Sequence, residues 1–489
     1  MSHSPARRTM LKLGLAGSVG WSGAGQALAS ASTAPAAEPF TSRRPPPDQR
    51  HFVSRAVDAA IAEVQRRIGD PELAWLFANC LPNTLDTTVT LGTVDGKPDA
   101  FVITGDIDAM WLRDSSAQVW PYLPFAREDA DLRRLIRGVI HRHVRCLLID
   151  PYANAFLKDP SARTQLKWAL GDLTDMRPGV SERKWELDSL CWPLRLAHGY
   201  WRATGDVAPF DAQWAEAMRA VLRTMREQQR KAGPGPYRFQ RRAEAATETL
   251  VLDGYGAPTR PVGLIHSMFR PSDDACVYPF LVPANLFAVV SLRQLAVMAD
   301  AVLHDAALAT EAKALADETA TALNRHARLR TPAGEVWAYE VDGFGNQLFM
   351  DDANAPSLLS LPYLGVCAVD EPLYRRTRAR AWSVDNPYFF RGRVAEGTGG
   401  PHEGLRMVWP MSITMKALTA PATAAGAAEV RHCLRWLKAS HAGTGFMHEA
   451  FDQDDAAHFT RPWFAWANGL FGELILDLAR HRPALLQAN

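Results

Sequence analysis

The sequence carries almost no net charge. Its 54 lysines and arginines stand against 53 aspartates and glutamates over 489 residues, a balance of +1. Acids and bases are mixed along the chain, which argues against nucleic acid or an anionic membrane surface as a partner. Cysteine is scarce: Cys80, Cys146, Cys191, Cys276, Cys367 and Cys433 lie far apart with no CxxC pair. Single buried thiols are therefore expected rather than a disulfide framework. No phosphate-cradling glycine loop, zinc-ligand spacing or nucleophile elbow is present. His141 and His143 fall two residues apart, on different faces of a helix, and Asp452–Asp455 lacks the glycine and terminal glutamate of a calcium loop. No metal and no cofactor is expected. Sustained β patterning and internal repeats are missing too.

What is present begins with an address. Paired arginines in Ala6-Arg-Arg-Thr-Met-Leu-Lys12 precede the apolar, Gly/Ala-rich run Leu13 to Leu28, and Ala27-Leu-Ala29 offers a small-residue cleavage site. This resembles a twin-arginine export signal. The run is too short and too glycine-rich for a good spanning helix. The expectation is a leader over 1–29, a disordered Ala/Ser/Pro-rich linker over 30–48, and a single catalytic domain over 49–489. The protein would be exported, to the periplasm in the first instance, with no membrane contact after cleavage.

Beyond residue 50, apolar spacing near 3.6 predicts helices over Arg55–Ile68, Asp131–Leu148, Glu182–Ala203, Phe210–Arg230, Val282–Leu303, Ala306–Ala327, Pro372–Trp382, Gly404–Leu418, Ala424–Ser440 and Trp463–Arg480. Shorter candidates are Pro71–Phe77, Ser115–Leu123 and Ala355–Val366. Strand-like stretches are few: Thr87–Thr93, Phe101–Thr104 and Thr249–Leu252. Two long Gly/Pro-rich connections, Ala232–Ile265 and Val384–Pro401, interrupt the helices. Loops of that length inside one domain are usually functional. The fold class is all-α, and the pattern suggests an α/α toroid of helical hairpins with long loops forming a cleft at one end. A helical solenoid is the plainer alternative.

Five segments combine carboxylates, guanidinium groups and indoles: Thr104–Ser115, Trp185–Pro193, Phe269–Ala275, Gly397–His402 and Met447–Phe451. A site that grips a sugar and breaks a glycosidic bond needs these groups. Carboxylates do proton work, Arg fixes hydroxyls or acids, and indoles stack on apolar sugar faces. In Phe269–Ala275, Asp273 and Asp274 follow Arg270-Pro-Ser and precede an apolar helix start. A helix cap is the bland role for one of them, and a proton donor with a burial-raised pKa is the functional role. Glu449 lies in apolar company beside His448. It reads either as a salt bridge to Arg461 or as a general base. Trp111, Arg113 and Asp114 read as a sugar clamp or as a helix-start ion pair, with Asp106 and Asp108 able to play either part. Glu186 and Asp188, on a helix near Trp185 and Trp192, point to a central funnel or to a solvated face. Asn386, Tyr388, His402 and Trp409 are further lining candidates.

Taken in order, these segments resemble glycoside hydrolase family 125, the exo-α-1,6-mannosidases. The matching stretches run from Thr104–Tyr122 through Glu186–Pro193, Phe269–Ala275, Met350–Tyr363, Asn386–Phe390, Gly399–His402 and Trp409–Ile413 to Met447–Phe451 and Phe459–Glu473. The resemblance implies an (α/α)6 barrel and metal-independent, inverting hydrolysis of non-reducing terminal α-1,6-linked mannose. It places the general acid at Asp273 or Asp274 and the base at Glu449, with Arg113 and Asp114 holding the terminal mannose. Arg270, beside the two aspartates, and His448, beside Glu449, are further candidate substrate contacts. The partner would be a mannose-containing oligosaccharide or glycan. An inverting α-glucosidase on the same barrel, a non-catalytic carbohydrate-binding protein and a helical scaffold are the alternatives. The Glu403–Val408 segment departs from the family pattern, which leaves the leaving-sugar subsite open.

Overall fold

Helix starts are written in the caps of this chain. Asp70 accepts from the Glu72 and Leu73 amides, Asp129 from Leu132, Asp211 from Gln213 and Trp214, and Thr423 from Gly426. Each satisfies amides that the first turn leaves open. Pro71, Pro372 and Pro410 occupy first-turn positions where a missing N–H costs nothing. The computed structural model describes residues 40–243 and 245–487, and thirteen α-helices occur among them. From Ser42 onward the chain is one compact unit.

The inner helices meet in sequence. Leu112–Val119 packs on Asp188–Thr204, which packs on Val282–Ala301. Further along, Pro410–Leu418 packs on Ala465–His481, and that last helix returns against Leu112–Val119. Outer helices back them, most extensively Ala306–His326 against Val282–Ala301 and Ala424–Ser440 against Pro410–Leu418. Val282–Ala301 is long and apolar enough to cross a membrane by composition, but it is a mostly buried core helix here.

Where a short helix was expected, Ala355–Val366 forms turns. The Asp351 carboxylate accepts the Leu358 and Leu359 amides at 2.7 and 3.0 Å, and the Ser357 and Ser360 hydroxyls bond each other's amides. Local side-chain acceptors thus replace helical partners. The segment still packs against two helices, Asp188–Thr204 and Ala465–His481. The Tyr363 hydroxyl donates to Glu473 at 2.9 Å, and Arg195 donates to the Tyr363 carbonyl at 3.2 Å.

Other expectations shift. The helix expected from Glu182 begins at Asp188, so Glu186 is not helical. The one expected from Gly404 begins at Pro410. Thr249–Leu252 is not a strand. The leader and residues 30–39 lie outside the described residues. Residues 42–48, expected as linker, pack onto the domain instead: Arg44 pairs with Asp86 at 2.8 Å and with Asp58 at 2.9 Å. All six cysteines are free thiols, with Cys276 and Cys367 partly exposed and the rest buried.

Short strands, unseen in the sequence, hold the loops that matter. Met110–Trp111, Ala155–Phe156 and Val180–Glu182 form one antiparallel sheet. Met407–Val408, Ala450–Asp452 and Asp455–Thr460 form another. Phe280–Leu281, Glu340–Val341 and Gln347–Leu348 form a third.

Candidate active site

The first two of these sheets position side chains around a cavity of about 470 Å³. The first delivers Trp111 at a strand end, with Arg113 and Asp114 in the first turn of the helix that follows. The second delivers three groups. Trp409 follows its first strand, Glu449 precedes its second, and Arg461 follows its third. All six of these side chains line the cavity.

Asp273 also lines it, from a tight turn closed by the Asp273 amide to the Arg270 carbonyl at 2.9 Å and by the Arg270 amide to the Asp274 carbonyl at 2.8 Å. The two acids are not at a helix start, because the helix begins eight residues later at Val282. Asp273 has φ +71°, a left-handed conformation that costs a non-glycine residue energy and marks a position fixed by its surroundings. Lys184 Nζ donates to the Asp273 carbonyl at 2.8 Å. Asp274, on the other side of the turn, is buried and outside the lining, and burial pushes its carboxyl up to about 6.

Arg113 does not stand free. Its Nη1 donates to Glu186 at 2.7 Å and to Asp188 at 3.1 Å, while Asp114 lies 3.8 Å from its Nε. Glu186 and Asp188 are therefore buried behind the wall, holding Arg113. Three carboxylates crowd one guanidinium. Burial pushes Asp114 up to about 6, with Arg113 opposing.

Glu449 pairs with Arg461 at 3.2 Å. Burial pushes its carboxyl up to about 7; Arg461 opposes the rise and Glu403 adds to it. Arg461 is itself left-handed, φ +48°, and bonds Asp106 and the Thr104 carbonyl. Gly105 beside it has φ +62°, a conformation that other residues rarely adopt, and a Cβ there would push on Arg461 Nη2 at 2.6 Å. His402 reaches the cavity from the loop after the glycine cluster. Against desolvation, Asp273, Asp274 and Glu449 hold its imidazole above the ordinary histidine range.

Five buried polar atoms of the lining have no hydrogen-bond partner among the described residues: Thr104 Oγ1, Arg113 Nε, Asp273 Oδ1, Asn354 Oδ1 and Trp409 Nε1. Orphans of this kind are rare and call for an explanation. Converging donors and acceptors between two indoles suit a polyhydroxylated ring.

Besides Glu186 and Asp188, four more expected contacts lie outside the lining. Arg270 ion-pairs with Glu340 at 2.6 Å and clamps the Asp273 turn from behind. Asn386 accepts the Asp351 and Tyr388 amides at 3.1 Å each, ordering a loop. His448 stacks on Phe459 with ring centroids 3.8 Å apart and bonds the Arg461 carbonyl. Asp106 touches Arg461 and is not part of the lining. Sequence reasoning in turn missed Lys184, Arg241, Glu248 and Trp168, which lie outside the α-helices and strands.

A family model for the metal-independent alpha-mannosidases (GH125) matches residues 70–476. The chain belongs to glycoside hydrolase family 125. A solved family member from Streptococcus pneumoniae, in a non-productive complex with α-1,6-mannobiose, is 40% identical with a TM-score of 0.82, covering 88% of this chain and 100% of that one. The meiotically up-regulated gene 157 protein of Schizosaccharomyces pombe is 44% identical over 476 residues, 94% of this chain and 92% of that protein. A bacterial glucoamylase solved with acarbose is 13% identical with a TM-score of 0.50, covering 87% of this chain and 59% of that one, a likeness of fold alone. The family fixes the coarse reading: a helical barrel-type glycosidase fold and a glycoside hydrolase of the α-mannosidase class.

Proposed function

We propose that this family 125 member is an exo-acting, inverting mannosidase that removes non-reducing terminal α-1,6-linked mannose from a mannose-containing glycan. The carrying observation is that Asp273 and Glu449 meet in one cavity with Trp111, Asp114 and Trp409. Asp273 is the general acid in this reading and protonates the glycosidic oxygen. Glu449 is the base: it takes a proton from a water that attacks the anomeric carbon from the opposite ring face. Asp273 is favoured over Asp274 because it lines the cavity and Asp274 does not. Trp111, Asp114, the Arg113 Nε and Trp409 would hold the terminal mannose. The linkage is taken from the α-1,6-mannobiose in the 40%-identical relative. The ring of helices is read as an (α/α)6 toroid in which the turns of 355–366 replace one inner helix.

The test incubates the protein, with chelator, on α-1,6-, α-1,2- and α-1,3-mannobiose and on isomaltose, followed by proton NMR. Early β-mannose from the 1,6 substrate alone is the expected result. Early α-mannose would sink inversion, release from isomaltose would move the reading to an α-glucosidase, and binding without release would make the protein a carbohydrate-binding one. Export belongs to the same proposal and rests on Arg7-Arg8 and the run to Ala29. A reporter fused to residues 1–29 should leave the cytoplasm only in a host with a working twin-arginine pathway.

A further inference from the structure

Part of the cavity wall is left unused by chemistry at Asp273 and Glu449. Trp168 lines it at 45% exposure, while Trp111 and Trp409 in the same lining are 5% and 2% exposed. That gradient puts Trp168 at the mouth. It is the one exposed tryptophan among the described residues. Among the described residues no ring contact or hydrogen bond involves its indole, which leaves a large apolar face exposed. A free indole at the rim of a polar cavity marks a contact surface.

The indole is carried on a braced wall. Two residues before it, Leu166 packs against the cluster of Ala109, Trp111 and Ala155. Beyond it, Leu173 and Gln240 exchange backbone hydrogen bonds at 2.8 and 3.2 Å, and Arg241 grips Asp172 with two bonds of 2.7 Å. The loop bearing Trp168 and the long loop after Ala232 are thus one structure. Arg242, exposed in the same lining, adds a donor. A cavity of about 470 Å³ is in the range that holds a drug-sized ligand, more than one hexose. With the terminal sugar at the closed end, the chain of the substrate must leave past this wall.

We propose that Trp168 stacks on a leaving-side sugar one residue beyond the sugar attached to the scissile bond. The preferred substrate is then an α-mannoside of three or more sugars. This rests on the mannosidase reading above. The test measures kcat/KM for first-mannose release from α-1,6-mannotriose and α-1,6-mannobiose, each with wild type, Trp168→Ala and Trp168→Phe. Using both substrates on each protein cancels any loss of folded enzyme. Wild type should favour the trisaccharide by about tenfold, a stacking contact's worth. Trp168→Ala should bring the ratio near one, and Trp168→Phe should keep most of it. Equal use of both sugars by wild type, or an unchanged ratio in Trp168→Ala, overturns the platform while leaving the mannosidase reading intact. Cleavage of neither sugar would overturn both.

Discussion

Arg461 and Glu449 form an ion pair at 3.2 Å inside the cavity wall, and Asp106 on the far side of the guanidinium holds Arg461 in place. The carboxylate read as the base therefore sits between an opposing cation and a like-charged neighbour, Glu403. Its proton affinity is adjustable from both sides.

A base must be ionised to work, so kcat/KM should rise with pH through about 7, where burial places the Glu449 carboxyl. Arg461 lowers that value and Glu403 raises it. Arg461→Met should therefore move the acidic limb of the profile to higher pH, and Glu403→Gln should move it to lower pH. Profiles of all three proteins check this. Limbs that move together, or in the reverse order, would remove Glu449 from the role of base.

Asp273 and Asp274 separate by kinetics. Asp273→Asn should cost about 10²–10⁴-fold in turnover of α-1,6-mannobiose, the usual worth of a proton donor. The loss should be far smaller on an aryl α-mannoside whose leaving group needs no proton. Asp274→Asn, altering a buried group outside the lining, should lose much less on the disaccharide. The opposite pattern would make Asp274 the acid.

How much of this was legible follows from the range over which each signal acts. Helices such as Ala424–Ser440 and Pro372–Ala381 announce themselves by caps and a 3.6-residue period, both local. Trp111, Arg113, Asp114, Asp273 and Glu449 were legible as residue types in short segments. Their partners were not. Arg113 meets Glu186 across 73 residues, and Arg461 meets Asp106 across 355. Arg270 looked like a substrate contact because guanidinium beside aspartates reads as a sugar grip. Its true partner, Glu340, lies 70 residues away on a two-residue strand that has no pattern to read. The turn at 355–366 misled for a related reason: its apolar spacing is helical, but the Asp351 carboxylate captures two of its amides.

That buried pair gives a stability prediction. Arg270 donates to one Glu340 oxygen while the other accepts the Val277 and Tyr278 amides at 2.9 and 3.0 Å. Arg270→Met leaves a buried carboxylate without its cation and should cost about 3–5 kcal/mol in urea unfolding. The double variant Arg270→Met with Glu340→Gln should recover part of that loss, since no unpaired charge remains. If Arg270→Met instead raises KM with stability unchanged, Arg270 is a substrate contact after all.

The buried acids also set how stability depends on pH. Burial pushes Asp351 from 3.8 to about 8 and Glu473 from 4.5 to about 7. The folded state then holds these protons more tightly than the unfolded chain. Their contribution is fully present below pH ~4 and is lost as pH rises through the folded values, with a slope on the order of 1 kcal/mol per pH unit for each. Carboxyls held low by partners, such as Asp70 against Lys438, are already ionised above pH ~5 and add no slope there. Lys416, lowered by burial to about 8, begins to act in the opposite sense only above that pH. His143 and His266, both lowered by burial to about 3, act in the opposite sense up to pH ~6.5 and add no slope above it. Urea midpoints should accordingly fall from pH ~6.5 to pH 8. Glu473 accepts from Trp120 Nε1 at 3.1 Å and from the Tyr363 hydroxyl at 2.9 Å, so Glu473→Gln keeps an acceptor while removing the titration. Relative to wild type, the slope of the variant should be less negative between pH ~5 and pH ~7. A flat or rising wild-type profile above pH ~6.5, or an unchanged slope in Glu473→Gln, would mean these carboxyls are ionised in the folded protein at neutral pH.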